Sequence, residues 1–220
     1  MGVSEPRADG ALIIQFAKAP LSGQVKTRMI PHLDAQQASE LHAELLFWTA
    51  QTLCQDKLGA VELWLAGDAD PEFTQSIKSL AYDSHRTQWG VDLGERMANA
   101  IEDGLGRYPK VVLVGSDCPS MDGGYLQSAI EALDHYDVVI GPAEDGGYVL
   151  IGARTVCAEI FCGVDWGRST VFRETVEILK RTEMPWQTLS VLSDIDRPED
   201  LPGWYLLRQA AGAKARTGKI

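Results

Sequence analysis

The chain has 220 residues, of which 45% are hydrophobic and 23% charged, and its formal net charge is −11. This composition predicts a soluble globule with one sizeable core, and the acidic balance argues against nucleic acid or an anionic membrane as a partner. No segment reaches the roughly 18 apolar residues of a membrane span. The four cysteines form no CxxC pair, which disfavours zinc and indicates reduced thiols in a cytoplasmic protein.

In the first half of the chain, apolar runs alternate with segments of helical periodicity. Asp34 with Gln37 has the form of a capping box for a long helix, and Asp92 with Glu95 repeats that form at a later helix. A Gly/Pro-containing loop separates the first apolar run from the first helix. The predicted elements are strands at 11–17 and 61–66 and helices from Asp34, over 71–80 and from Asp92 to Leu105.

Two continuous β-branched runs, 111–114 and 138–140, stand in the second half. Such runs predict strands that are buried on both faces, as in a parallel sheet. A short acidic turn leads from the second run directly into another strand, which predicts one antiparallel strand near the same edge. The predicted elements are strands at 110–114, 137–140, 148–151 and 187–192 and helices from Asp122, from Ser169 or Thr170 to Arg181, and from Asp196.

Strands that alternate with helices predict a doubly wound α/β fold with right-handed crossovers. We expect a mixed, mostly parallel sheet with helices on both faces. The chain shows no internal repeat or linker, so a single domain is expected over residues 11–207. Residues 1–10 and 208–220 are expected to be flexible tails.

An acidic turn follows each of the two buried runs. Asp117 stands in Gly-Ser-Asp-Cys-Pro after the first run, and Asp145 stands in Glu-Asp-Gly-Gly-Tyr after the second. Ligands of such sheets bind in the crevice at the carboxyl ends of the strands. Two carboxylates there suit a hard divalent cation that itself holds a phosphate. The alternative for Asp117 is a turn or cap residue, since Ser-Asp-x-Pro favours turns.

The loop after the first strand is rich in cations and shares the crevice with these aspartates. It carries Lys18, Lys26 and Arg28, and Gly23 allows its backbone to approach a ligand closely. Cations and backbone amides in such a loop suit a di- or triphosphate. The alternative is a solvated basic loop, but its position opposite two aspartates favours phosphate contact.

Further candidates are less specific. Arg96, in the first turn of a helix, is a candidate for binding a phosphate or a base, or else a surface residue. Asp165 and Trp166 precede a helix and suit a general base and a stacking platform, or else a cap and a core aromatic. Asp194 and Asp196 are expected to be turn and cap residues, and the four histidines fall in no constellation. No GxGxxG or GxSxG motif occurs, which disfavours a dinucleotide dehydrogenase and a serine hydrolase.

Four segments in this order resemble the bacterial glycosyltransferases of the DUF2064 family, some of which are linked to arsenosugar biosynthesis. The resemblance covers about residues 11–205. The segments are Lys18-x-Pro20-x-x-Gly23-x-x-Lys26-Thr27-Arg28, Asp92-Leu93-Gly94-Glu95-Arg96-Met97, Gly115-Ser116-Asp117-Cys118-Pro119 and Pro142-x-x-Asp145-Gly146-Gly147-Tyr148.

The resemblance implies a Rossmann-like domain of the GT-A type. It implies that the domain binds a nucleotide-sugar donor through Mg²⁺ or Mn²⁺ and transfers the sugar to a small-molecule acceptor. Asp117 takes the position of the metal-binding aspartate, without the Asp-x-Asp pair usual in that fold, and Asp145 is the expected second ligand. Lys18, Lys26 and Arg28 take the phosphate-loop positions.

Glycosyl transfer is the leading hypothesis, with Asp117, Asp145 and Asp165 as the catalytic residues. The related 2-phospholactate and molybdenum-cofactor guanylyltransferases share the general plan. The alternative is therefore a nucleotidyltransferase that joins an NTP to a phosphorylated acceptor and releases pyrophosphate. A third hypothesis is a nucleotide sensor or scaffold that kept the fold without the activity. The oligomeric state is left open.

Overall fold

The computed structural model describes residues 10–156 and 158–217. The strands in these ranges are β1 (Ala11–Lys18), β2 (Gly59–Ala66), β3 (Ser84–Thr87), β4 (Lys110–Val114), β5 (Val138–Pro142), β6 (Tyr148–Ala153) and β7 (Trp186–Thr188). Within the described residues they form one seven-stranded sheet in the order β3-β2-β1-β4-β6-β5-β7. Strand β6 pairs antiparallel with both neighbours, and the other pairs are parallel. The predicted mixed, mostly parallel sheet is confirmed.

Helices cover both faces of this sheet. They are α1 (Ala35–Gln55), α2 (Pro71–Ile77), α3 (Leu93–Leu105), α4 (Gly123–Ala132), α5 (Val171–Arg181) and α6 (Leu201–Thr217). Alternate side chains of β1 enter different cores, because successive residues of a strand point to opposite faces. Leu12 and Ile14 pack with α3 and α5, whereas Ile13 packs with α1 and α4. The doubly wound α/β architecture is confirmed.

The helix starts predicted at Asp34, Asp92 and Asp122 are confirmed, because these side chains satisfy free amides of the first turn. Helix α5 follows Thr170 without a side-chain capping bond, and α6 begins at Leu201 rather than at Asp196. Asp34 and Gln37 form the reciprocal capping box at α1. The Asp92 carboxylate accepts a hydrogen bond from the Glu95 amide at 2.8 Å, which starts α3 at Leu93, three residues before Arg96.

The antiparallel strand β6 lies between β4 and β5. It starts at the sheet edge where β4 and β5 end, and the Gly115 amide donates to the Val149 carbonyl at 2.9 Å. The acidic turn that joins β5 to β6 therefore lies at the same edge as the turn after β4. This confirms the predicted antiparallel strand and positions both acidic turns.

Two strands differ from the prediction. Strand β3, with the sequence Ser-His-Arg-Thr, was not predicted, because a polar edge strand has no apolar run to mark it. The last strand was predicted over 187–192, but regular pairing ends at Thr188. Beyond it the chain still follows β5 through bonds from the Leu189 and Leu192 amides to the carbonyls of Ile140 and Pro142, in an irregular path.

The ends of the chain are described in part. Residues 208–217, expected to belong to a tail, continue α6 to Thr217 in an alanine-containing segment with good helix propensity. Residues 1–9 of the expected N-terminal tail and residues 218–220 lie outside the described residues. None of the described helices is long and apolar enough to cross a membrane.

Candidate active site

A cavity of about 660 Å³ lies at the sheet edge where β1 and β4 end and β6 begins. Its volume is typical of small-molecule sites. Polar side chains reach it from the loops after β1, β4 and β5, and its apolar lining includes Met97, Leu113 and Ile151. This is the crevice in which the sequence predicts a ligand.

The cavity is cationic although the whole protein is acidic. Its lining holds five lysine or arginine side chains against three aspartates, in a chain of net charge −11. A local excess of cations of this kind attracts an anionic ligand against the sign of the global charge. The cations are Lys18, Lys26, Arg28, Arg96 and Arg168, and the aspartates are Asp117, Asp145 and Asp196.

Asp117, directly beyond β4, carries an ionised carboxylate. Its Oδ2 lies 2.8 Å from Lys26 Nζ, and its Oδ1 lies 3.7 Å from His42 Nδ1. Burial by itself raises the pKa of this carboxyl, but the charge of Lys26, together with the neighbouring His42, outweighs burial and holds the pKa well below its usual range. Oδ1 is buried and makes no hydrogen bond, so it retains free acceptor capacity.

Lys26 is a buried structural cation, which differs from the exposed phosphate contact expected of it. Its side chain is 2% exposed, and Nζ donates to the Ile195 carbonyl at 2.5 Å as well as pairing with Asp117. Its backbone has a φ of 49°, a left-handed conformation that is uncommon for a residue with a side chain. Lys26 thus ties the loop after β1 to Asp117 and to the segment before α6.

Arg28 joins the same loop to two others. Its Nη1 donates to Asp196 Oδ2 at 2.6 Å, and its Nη2 reaches the Gly167 carbonyl at 3.4 Å. The hydrogen bond and the charge of Asp196 raise the pKa of this guanidinium. Arg28 remains about half exposed and lines the cavity, so part of it faces a bound ligand.

The remaining predicted phosphate-binding residues divide into two groups. Lys18 and Arg96 line the cavity, and the Arg96 Nε also donates to the Gly90 carbonyl at 3.2 Å. Gly23 is exposed with a φ of 77°, which suits glycine, but it is not among the residues that line the cavity. Its role in phosphate binding stays a prediction that the cavity does not support.

Asp145 lines the cavity from an exposed turn. Its Oδ1 accepts a hydrogen bond from the Gly147 amide at 2.9 Å. Gly146 has a φ of 89°, and a Cβ there would lie 2.1 Å from the Ser169 carbonyl oxygen, so only glycine allows this turn to pack against the start of α5. The glycines hold Asp145 toward the cavity, as the sequence predicts.

Asp165 is not brought into the cavity. Its side chain is exposed and absent from the lining, and its backbone amide donates to Glu174 Oε2 at 3.0 Å. The next two residues do line the cavity. Trp166 lies edge-on to Tyr148, and the Gly167 carbonyl accepts a hydrogen bond from Arg28. The sequence alone does not show which residues of this loop turn inward.

Four residues of this site had no predicted role in it, and two of them, Asp194 and Asp196, were expected to be turn and cap residues. His42, Arg168 and Asp196 line the cavity. Asp194 lies close enough to Asp145 to be affected by its charge: burial, and then Asp145, raise the pKa of Asp194 to about 6. Two aspartates separated by one residue, at 194 and 196, could have indicated an acidic site from the sequence. His42 could not, because it lies on the apolar face of α1.

The acidic residues fit a divalent cation that is shared with a ligand. Asp117 offers an ionised carboxylate on a side chain that is 39% exposed, and Asp145 lines the same cavity. Among the described residues no group of three or more His, Cys, Asp or Glu side chains could hold a metal ion by itself. A cation here would therefore take its remaining ligands from phosphate oxygens and water, as Mg²⁺ commonly does.

Comparison with protein families agrees with the motifs. Residues 49–168 match the model of DUF2064, described as an uncharacterized protein conserved in bacteria. The chain belongs to the DUF2064 family. The matched region includes the Asp117 and Asp145 turns of this DUF2064 protein. No curated protein sequence matches it.

Solved structures extend the comparison. A proposed nucleotide-diphospho-sugar transferase of Desulfovibrio desulfuricans G20 is 33% identical, with a TM-score of 0.77 over 85% of this chain and 82% of that chain. The 4-diphosphocytidyl-2C-methyl-D-erythritol synthase of Anaerococcus prevotii is 10% identical, with a TM-score of 0.59 over 90% and 97%. Rv0371c of Mycobacterium tuberculosis H37Rv, in complex with manganese, is 16% identical, with a TM-score of 0.54 over 88% and 96%. The last two share the fold alone with the DUF2064 chain.

Proposed function

We propose that this DUF2064 protein is a metal-dependent glycosyltransferase that uses a nucleotide-diphosphate sugar as donor and a small molecule as acceptor. The observation that carries the proposal is the cationic cavity built around the ionised carboxylate of Asp117, at the carboxyl edge of the sheet in an acidic protein. The similarity to a proposed nucleotide-diphospho-sugar transferase supports it.

The cations of the cavity are the groups that bind the donor diphosphate. Lys18 and Arg28 reach it from the loop after β1, Arg96 from α3, and Arg168 from the segment before α5. Arginine binds phosphate oxygens bidentately and lysine as a point charge. When the bond between the sugar and the diphosphate breaks, negative charge grows on the leaving nucleoside diphosphate, and preorganised cations stabilise it most.

The acidic residues complete the donor site. Asp117 and Asp145 would hold the divalent cation, which would supply positive charge to offset the negative charge on the leaving group. Lys26 keeps Asp117 ionised and oriented from the buried side. Asp165 lies outside the cavity lining, and we therefore assign no proton transfer to it.

Nucleotidyl transfer is the second candidate, and the distribution of the cations favours it. Arg28 and Arg168 reach the cavity from different segments than Arg96, and with Lys18 they make four cations besides the buried Lys26, more than one diphosphate requires. Such a spread would serve a triphosphate, or an acceptor that carries its own phosphate. A cytidylyltransferase of Leptospira borgpetersenii shares this fold, which supports this candidate.

One assay distinguishes the two reactions. The protein is incubated with Mg²⁺ or Mn²⁺ and with a panel of nucleotide sugars or NTPs, and the released products are measured. Glycosyl transfer or donor hydrolysis releases a nucleoside diphosphate, whereas nucleotidyl transfer releases pyrophosphate. Asp117→Asn should abolish either release. The matched control is Asp56→Asn, because Asp56 is exposed and does not line the cavity.

A further inference from the structure

His42 is a buried residue of the cavity that the proposed reaction has not used. It lies on α1 and is 6% exposed. Its Nε2 is 3.0 Å from the carbonyl oxygen of Lys18, and its Nδ1 is 3.7 Å from Oδ1 of Asp117. The imidazole therefore stands between the loop after β1 and the acidic turn after β4.

The chemistry of the two contacts fixes one proton. A carbonyl oxygen can only accept a hydrogen bond, so Nε2 must be the protonated nitrogen in the contact with Lys18. The other ring nitrogen then faces the Asp117 oxygen that is buried and makes no hydrogen bond. One rigid ring thus spans the distance between a donor-binding loop and the carboxylate opposite it.

Two further polar residues on the same side of α1 reach the same two segments. Ser39 Oγ donates to the Pro20 carbonyl at 2.6 Å, and Thr49 Oγ1 donates to the Ser116 carbonyl at 3.3 Å. Residues 39, 42 and 49 are spaced by three and seven, which places them on one helix face. All three are buried. This face of α1 therefore serves as the common support of both loops, and His42 contacts both of them.

We propose that His42 is a positioning residue that holds the Lys18 loop and the Asp117 carboxylate at a fixed separation, so that anions bound by the loop lie opposite Asp117. The placement of a bound anion opposite Asp117 rests on the proposed function, whereas the two contacts of His42 do not depend on it. His42 acts through Lys18 and Asp117, and no role in proton transfer is part of it.

Three substitutions separate the two contacts. In His42→Gln the side-chain amide can still donate to the Lys18 carbonyl, but it presents no group to Asp117. In His42→Asn the shorter amide can face Asp117 but does not reach Lys18. His42→Leu removes both contacts and keeps an apolar volume on α1. Thr52→Val is the matched control, because the Thr52 hydroxyl bonds within α1 to the Trp48 carbonyl.

The first readout is the affinity of the purified full-length protein for inorganic pyrophosphate, measured by calorimetry without metal. Loss of the Lys18 contact in His42→Leu and His42→Asn should weaken binding about tenfold, the equivalent of roughly one net hydrogen bond. His42→Gln and Thr52→Val should stay within about threefold of the wild type, since neither loses the Lys18 contact.

The second readout needs no ligand. Hydrogen exchange of backbone amides should rise at 18–29 and 115–119 in His42→Leu, and only at 115–119 in His42→Gln. If His42 merely fills space, His42→Gln and His42→Leu will match in both readouts, and the inference is overturned. If the wild type binds no pyrophosphate, the proposed donor site fails, and the exchange pattern alone still decides the role of His42.

Discussion

Asp117 and Asp145 line one cavity, but the protein holds them in different ways. Asp117 is paired with a buried lysine, lies beside a buried histidine, and its backbone carbonyl accepts from the Ile195 amide at 2.8 Å. Asp145 stands on an exposed glycine turn and is bonded to one backbone amide. The comparison indicates that Asp117 is a rigid anchor of the site, whereas Asp145 can adjust to a ligand. Rigid groups contribute most to catalysis, because no reorganisation is required when charge develops.

The largest effect is expected when the rigid carboxylate is neutralised. Asp117→Asn should lower turnover by at least ~10²-fold, the scale of losing one strong electrostatic group. The fold should persist, because the asparagine oxygen still accepts from Lys26. Steady-state rates and circular dichroism of the variant beside Asp56→Asn test this. Unchanged rates would remove Asp117 from the mechanism.

Removal of the cation that fixes Asp117 is expected to affect stability. Lys26→Met leaves the Asp117 carboxylate without its closest counter-ion. It should lower the free energy of unfolding by about 2 kcal/mol, less than the ~3–5 kcal/mol of a fully buried pair, because the Asp117 side chain is 39% exposed. Urea unfolding beside the exposed control Lys180→Met measures this. A loss below about 0.5 kcal/mol, the range of surface changes, would contradict the assignment of Lys26 as a buried structural cation.

Neutralisation of the adjustable carboxylate should cost less. Asp145→Asn keeps an acceptor for the Gly147 amide but loses the charge. It should raise the Mn²⁺ concentration needed for half-maximal turnover about tenfold, consistent with the loss of roughly one charge-assisted contact. The neighbouring exposed Glu144→Gln is the control and should remain near the wild type. If the two variants behave alike, Asp145 does not belong to the cation site.

The smallest expected effect is a pH dependence that links Asp145 to Asp194. Burial and the charge of Asp145 raise the pKa of Asp194 from 3.8 to about 6, so the folded protein binds this proton more tightly than the unfolded chain. The contribution of Asp194 to the free energy of unfolding is therefore present below pH 3.8 and lost as the pH rises through about 6. We expect a loss of about 1 kcal/mol across this window, below the full value of the shift because the group is partly solvated.

Urea unfolding between those pH values compares the wild type with Asp194→Asn, in which the dependence should vanish. In Asp145→Asn the pH dependence of the free energy of unfolding should be smaller, because the charge of Asp145 no longer raises the pKa of Asp194. A wild-type profile that equals that of Asp194→Asn would show that the two carboxylates do not interact.

The features that could be predicted from the sequence are those that depend on a short segment of the chain. Continuous β-branched runs marked β4 and β5, and Asp34 and Asp92 marked helix starts. Because parallel strands end at one edge, the positions of Asp117 and Asp145 at the cavity could also be predicted. Periodicity, capping and strand direction are properties of a short segment, so they can be read without tertiary contacts.

The features that the sequence did not reveal depend on packing between distant segments. Lys26 looks like a solvent-facing loop lysine until Ile195, some 169 residues later, encloses it. Asp165 and Trp166 stand in one loop, and tertiary packing alone decides which of them reaches the cavity. His42 lies among the apolar positions of α1 and looks like a core histidine until its two contacts are seen.

The central claim is that the cavity binds a metal-associated diphosphate donor opposite Asp117. Thermal unfolding with Mn²⁺ and a panel of nucleoside diphosphates and nucleotide sugars tests it most directly. A specific ligand at ~100 times its dissociation constant should stabilise the wild type by ~2.7 kcal/mol, and Asp117→Asn should lose most of that gain while Asp56→Asn keeps it. If no member of the panel shifts the transition, or if Asp117→Asn responds as the wild type does, the account is contradicted.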